Sequence, residues 1–308
     1  MVPAQAGLGE DSVSEAGFVL GHPARLLVSR GPGDGAGRAT QPGQDGMIPS
    51  SRAGEGFFLV LVTTEARTMT AKQLFDAGKV REAQQALTAH LRDHPSDVAQ
   101  RTFLFELLCF SGDFARAEKQ LAVLAQGNAE TELGAVLYYS ILHGEKTRHE
   151  VFEKQQFSRD DLASPPGQLN GRPFQSLRDA DPDIGARLEV FAAGAYLWIP
   201  FEHIASLEMQ PPRRLRDTLW APALVRTGPS FKGTELGEVL IPAIYPFSWK
   251  DPDEAVWLGR ITSWAADEQG KEYPSGEKMW LLDGEEIPFL EVRSLEFSSA
   301  QAATPAAD

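Results

Sequence analysis

The chain has 308 residues, 42% of them apolar, and a formal net charge of −14. That is enough apolar material for one or two domains with real cores. The acidic balance argues against a general nucleic-acid or anionic-membrane binder, because both partners reward a basic surface. Acid concentrates towards the C-terminus: residues 158–308 carry 24 Asp or Glu against 14 Lys or Arg, and residues 69–157 carry 12 against 10. Electrostatic steering therefore favours a basic partner on the C-terminal half, although the plainer reading is an acidic surface that keeps the protein soluble.

Residues 1–68 are rich in Gly, Pro, Ser and Ala, with Gly31-Pro32-Gly33-Asp34-Gly35 in their midst. Such a composition does not repay the entropy of ordering, so a disordered leader is expected. Met69 stands directly before the first helix, which raises the alternative that the leader is a start-site artefact. Native peptides from residues 1–60 in a mass spectrum would rule that out. The longest apolar run near this end, Phe57 to Val62, is too short to span a bilayer, and no signal-peptide pattern opens the chain. The single cysteine, Cys109, lies in an apolar run and reads as a buried, inert thiol, which fits a reducing compartment. The cytoplasm is the default location.

From Lys72 to Gln126 the chain repeats itself. A 34-residue shift brings Leu74 onto Leu108, Gly78 onto Gly112, Ala83 onto Ala117 and Leu87 onto Leu121. Each copy reads as helix, glycine turn and second helix, and Pro95 closes the first copy as in a tetratricopeptide unit. Alanine allows close approach of two helices, glycine takes the turn, and proline ends the helix. Helices are expected at about 70–77, 79–93, 96–110, 113–126 and 129–143, with Ser96 and Asp113 as N-caps. The third copy keeps Leu142 but has Lys146 where the glycine turn would fall, so its helix closes the array. Glu106 is the only charge in an otherwise apolar stretch.

The segment from Phe157 to Phe174 contains Ser164-Pro165-Pro166-Gly167 and Asn170-Gly171 and reads as a linker. Beyond it the period changes. Leu188 to Phe191, a turn at Gly194, and Tyr196 to Ile199 form a hairpin. Further strands are expected at 205–209, 219–226, 238–241, 256–262, 278–282 and 287–297, with a short helix at 213–218. All six tryptophans fall in this half, most of them as core.

Constellations with chemistry are few. Asp179, Asp181 and Asp183 alternate as in a calcium loop, but the sixth residue is Ile184 instead of glycine and Glu189 is eleventh, so a polar turn is the better reading. His90 and His94 have a spacing that can hold zinc, yet no third ligand follows. No phosphate loop, nucleophile elbow or set of nucleophile, base and orienter stands out, so neither cofactor nor metal is expected. Arg216 and Trp220 flank Asp217 and make a candidate interface patch; the alternative is a helix end that braces the domain.

These residues together resemble the ImpE/TagJ family, accessory proteins of bacterial type VI secretion. The likeness rests on Arg101 to Leu108 followed by Gly112-Asp113 and Arg116-Ala117, and on Asp179-Ala180-Asp181 with Gly185 and Glu189. It rests also on Gly194, Tyr196, Trp198, Pro200 and Phe201, on Leu215-Arg216-Asp217 with Trp220-Ala221-Pro222, and on Glu291-Val292-Arg293. The resemblance implies an α+β chain: tetratricopeptide-like helices at 69–157, a linker at 158–174, a mainly antiparallel β domain at 175–297 and a disordered tail at 298–308. It also implies a non-catalytic adaptor that binds the small sheath subunit and links the sheath to a ClpV-type ATPase, with no nucleic-acid or membrane partner. Candidate interaction residues are Arg101, Glu106, Asp179, Asp181, Tyr196, Trp198, Arg216, Asp217 and Trp220. The competing expectations are an enzyme with an interdomain site around Asp179, Asp181 and Arg216, and a generic assembly factor.

Overall fold

The computed structural model describes residues 69–127, 129–158 and 160–298. The expected leader and most of the expected tail lie outside the described residues.

Helix formation begins at Thr70, whose hydroxyl accepts from the Gln73 amide while the Gln73 side chain accepts from the Thr70 amide, a reciprocal cap. Helix α1 (Ala71–Asp76) turns at Gly78, at φ +77°, into α2 (Val80–Asp93). Helix α3 (Val98–Phe110) turns in the same way at Gly112, at φ +68°, into α4 (Phe114–Leu124). Both glycines sit in the left-handed region, which penalises a side chain. Ala83 and Ala117 are fully buried where the paired helices meet, so the 34-residue offset is realised as two helix pairs packed in series. The α3 cap is Asp97, not Ser96, because its carboxylate reaches the Gln100 amide; Asp113 caps α4 as expected.

Helix α5 (Ala129–Glu153) follows and does not stop near residue 143. Neither proline nor a left-handed glycine interrupts it. Gly144 is instead a packing residue: a Cβ there would come within 2.6 Å of the Phe191 ring. The helix thus lies tightly on the sheet that carries Phe191.

The strands are β1 (Gly167–Leu169), β2 (Arg172–Phe174), β3 (Leu177–Asp179), β4 (Arg187–Ala192), β5 (Ala195–Pro200) and β6 (Ile204–Met209). They continue with β7 (Trp220–Thr227), β8 (Gly237–Pro242), β9 (Ser263–Ala266), β10 (Glu272–Ser275), β11 (Met279–Leu282), β12 (Glu285–Pro288) and β13 (Ser294–Phe297). Eight form an antiparallel sheet in the order β2-β1-β13-β6-β7-β8-β4-β5. A three-stranded sheet, β12-β11-β3, and the β9-β10 hairpin complete the half.

Several expectations are corrected. The linker contains a β-hairpin, β1 to β2, turning at Asn170 and Gly171, both with positive φ, as a two-residue loop requires. Residues 256–262 are not a strand: Asp253 caps a short helix, α6 (Glu254–Trp257), and Gly259 at φ +63° ends the segment. The helix at 213–218 is a 3-10 turn, Leu215–Thr218. Residues 287–297 divide into β12, a 3-10 turn and β13.

The large sheet has two covered faces. Leu188, Val190, Ile199, Leu207, Val225 and Ile241 pack inwards with Trp280, Leu282 and Phe289 of the smaller layer. Phe191, Trp220, Leu215 and Ile244 join the helices in one continuous core. Trp249 lies so close to the Gly112 turn that a Cβ there would come within 2.5 Å of its ring. Helices, large sheet and small sheet are therefore three packed layers.

Candidate functional site

Glu145, Arg148 and His149 share the face of α5 that meets the sheet, because positions three and four apart lie one above another on a helix. Arg148 donates from Nε to Glu189 Oε1 at 2.8 Å, from Nη2 to Glu189 Oε2 at 3.3 Å and to the Ile244 carbonyl at 3.0 Å, and from Nη1 to Glu145 Oε2 at 3.5 Å. Trp220 Nε1 donates to Glu145 Oε1 at 2.8 Å. On the far side of Glu189, Lys278 Nζ donates to Glu189 Oε2 and, at 2.9 Å, to Asp179 Oδ2. Tyr245 Oη closes the row by donating to Asp179 Oδ1 at 2.8 Å. Tyr196 Oη donates to Glu189, and Trp198 Nε1 donates to Tyr196 Oη. The five charged residues of this row are all between 1% and 3% exposed.

The row alternates in sign: Glu145, Arg148, Glu189, Lys278, Asp179. Burial alone would raise the Glu189 carboxyl, but Arg148 and Lys278 overcome it and hold it at about 2. Burial raises Glu145 and Asp179, each partly pulled back by its cation. Asp181, beside the end of the row, is pushed up to about 7 by burial and then by Asp179. His149 is held down at about 3, first by burial and then by Arg148; its ring stacks on Phe114 and meets the edge of Trp249. Burial pushes the Cys109 thiol well above its ordinary value.

A second pair joins the two halves nearby. Arg216 Nη1 lies 3.3 Å from Glu106 Oε1, and its guanidinium covers the Tyr138 ring at 5.3 Å. Burial pushes Glu106 up to about 7 against the pull of Arg216. Asp217 accepts from the Arg213 and Arg214 amides at 2.9 Å and so caps the 3-10 turn. Arg101 bridges Gln120 and the Pro95 carbonyl within the helical half.

The nine candidate residues therefore divide. Tyr196 bonds Glu189 directly, Trp198 reaches it through Tyr196 and Asp179 through Lys278, Trp220 reaches the same row through Glu145, and Asp181 stands at its end. Glu106, Arg216 and Asp217 form the second group, and Arg101 is apart. The contacts of Asp179 and Asp181 are thus distinct from those of Arg216. Glu145, Arg148, Lys278, Tyr245 and His149 escaped sequence reasoning. The one available signal was Glu145 with Arg148, an acid and a base three positions apart directly after Leu142.

A pH dependence follows. Glu106 and Asp181 have raised pKa values, so the stability they contribute is full below their unfolded values, near 4, and is lost as pH rises through about 7. His149 has a depressed value, so its contribution is full above about 6.5 and is lost as pH falls. Between about pH 7.5 and 5 these two carboxyls, with Glu145 and Asp179 raised in the same direction, outweigh one imidazole, and stability rises on acidification; below about pH 4 the loss of ionised Glu189 reverses the trend. Urea midpoints should trace that rise in the native chain and a smaller one in Asp181→Asn.

Beside the buried row lies an open groove of about 550 Å3 between α5 and the outer face of β6, β7 and β8. Leu137 and Ile141 line it from the helix. The same helix exposes Leu133 at 74%, Val136 at 57% and Leu137 at 51%. Contiguous apolar surface of this kind marks an interaction site more often than chance exposure does.

The chain is 30% identical over 272 aligned residues to the type VI secretion system accessory component TagJ of Pseudomonas aeruginosa PAO1, covering 76% of this chain and 93% of that protein. Residues 171–296 match the family described as ImpE protein. The chain belongs to the ImpE/TagJ family. An accessory role in type VI secretion goes with that membership. A crystal structure of a Vibrio parahaemolyticus protein, VPA1032, shares the fold at a TM-score of 0.66 and 22% identity, over 74% of this chain and 97% of that one. The ImpE match runs from the first hairpin to β13, so it includes Asp179, Glu189 and Lys278 of the buried row, whereas Glu145 and Arg148 lie before it. Among the described residues of this ImpE/TagJ chain, no helix is long and apolar enough to cross a membrane.

Proposed function

We propose that the chain is a non-catalytic cytoplasmic adaptor that binds the small sheath subunit of a type VI secretion apparatus and links the sheath to its ClpV-type ATPase. In this reading the two helix pairs are tetratricopeptide-like units of a domain at 69–157, the domain at 175–297 is their β-rich partner, and α5 is the face that both support. One observation carries the reading: Leu133, Val136 and Leu137 stand exposed beside an apolar groove on the N-terminal part of a helix whose C-terminal part is fixed to the sheet through Arg148. A rigid helix with an unpartnered apolar stripe suits capture of an apolar segment from another protein. Arg101, Tyr196, Trp198 and Arg216 are each partly exposed, so contacts from them to the partner belong to the same proposal. The enzyme alternative has less in its favour, because Asp179 and Arg216 belong to separate groups and the large groove is lined by other residues.

Purified full-length chain on a support should retain the small sheath subunit, and Leu137→Glu should reduce retention about tenfold or more without lowering the melting temperature, since a central apolar anchor carries much of such an interface. Failure of the folded native chain to retain it contradicts the proposal.

A further inference from the structure

The groove carries a charge pattern of its own. Strands β6, β7 and β8 are adjacent, and their register sets Glu208 opposite Leu224 and Leu224 opposite Glu238. Residues paired in this way rise from the same sheet face. Neighbouring strands lie about 4.8 Å apart, so the two glutamates stand about 10 Å from one another with a leucine between them. All three line the groove, with Leu240 behind and Leu137 and Ile141 across. Neither glutamate side chain makes a hydrogen bond or ion pair with another described residue, and both residues are exposed.

We propose that this groove selects an amphipathic helix of a partner protein that places two basic residues seven positions apart on either side of one large apolar residue. The spacing follows from geometry. Positions i and i+7 of a helix lie about 10.5 Å apart on one face, with i+3 or i+4 between them. An extended segment does not match: its positions facing one way are about 6.8 or 13.6 Å apart. The two cations meet Glu208 and Glu238, and the apolar residue between them meets Leu224. A second copy of this chain is a poor occupant, since a net charge of −14 opposes self-association at an acid-rimmed groove. The inference deepens the adaptor reading and rests on it for the partner's identity, not for the chemistry of the groove.

The test uses the full chain and labelled helical peptides of about 18 residues that share one leucine face. One carries arginines seven apart, one carries glutamates at the same positions, and one carries arginines five apart. Fluorescence anisotropy at about 0.05 M salt should give the first peptide an affinity about tenfold above either other, falling to parity near 1 M salt. In Glu208→Gln/Glu238→Gln the preference should vanish while the leucine-driven binding remains. Equal affinities in the native chain, or a preference unchanged in the double variant, would overturn the proposal. So would a dimer of the native chain in sedimentation that Leu137→Glu dissociates. Retention of the small sheath subunit that the double variant leaves untouched would overturn this inference alone; peptide discrimination without retention would overturn the adaptor reading alone.

Discussion

Arg148→Met is expected to lower the free energy of unfolding by about 3–5 kcal/mol, the range for removing one partner of a buried ion pair. Methionine keeps most of the side-chain volume, so the loss is electrostatic. The guanidinium serves Glu189, Glu145 and the Ile244 carbonyl at once, and all three stay buried without it. Glu189 retains Lys278, but Glu145 retains only the Trp220 indole, and 3.7 Å away an imidazole held neutral by its surroundings. The deficit should shrink as pH falls from 8 towards 5, because the Glu145 carboxyl, already raised by burial, takes up a proton once its cation is gone. Urea unfolding at the two pH values measures both effects. A loss below about 1 kcal/mol at pH 8, the level of an exposed pair, would mean that water reaches the site.

Lys278→Met should cost a similar amount, about 3–5 kcal/mol, with a different geography. Its ammonium joins Asp179 on β3 to Glu189 on β4, two strands of different sheets. Without it Asp179 depends on the Tyr245 hydroxyl and the Asp181 amide. Hydrogen exchange should therefore quicken in β3 and β11 for Lys278→Met, and in α5 with β5 for Arg148→Met. Uniform quickening in both variants would show the layers unfolding as one unit and would remove the distinction.

The helical half was legible because its signals are local. Gly78 and Gly112, Ala83 and Ala117, and the paired leucines fix turns and close contacts within a few residues of themselves. The hairpin of β4 and β5 was legible for the same reason, from alternation around Ala193 and Gly194. Residues 256–262 were misread because Val256, Trp257 and Leu258 suggest a strand, although Asp253 before them and Gly259 after them are helix start and stop signals. Gly144 offered no reading from sequence, since its meaning is the Phe191 ring against it. The buried row was beyond local reasoning. Arg148 finds Glu189 across 41 positions, Trp220 finds Glu145 across 75, and Lys278 finds Glu189 across 89. Glu208 and Glu238 become neighbours of one leucine only through strand register. Eight of the nine sequence candidates, all but Arg101, fell in or near these groups because aromatics and charges mark both buried networks and interfaces.

Hydrogen exchange of the full chain, alone and saturated with the small sheath subunit, tests most directly whether α5 and the groove form the docking face. Protection should concentrate at residues 133–141, 222–224 and 238–240 and leave α1 and α2 unchanged. Binding accompanied by protection of α1 and α2 but not of α5 would contradict it.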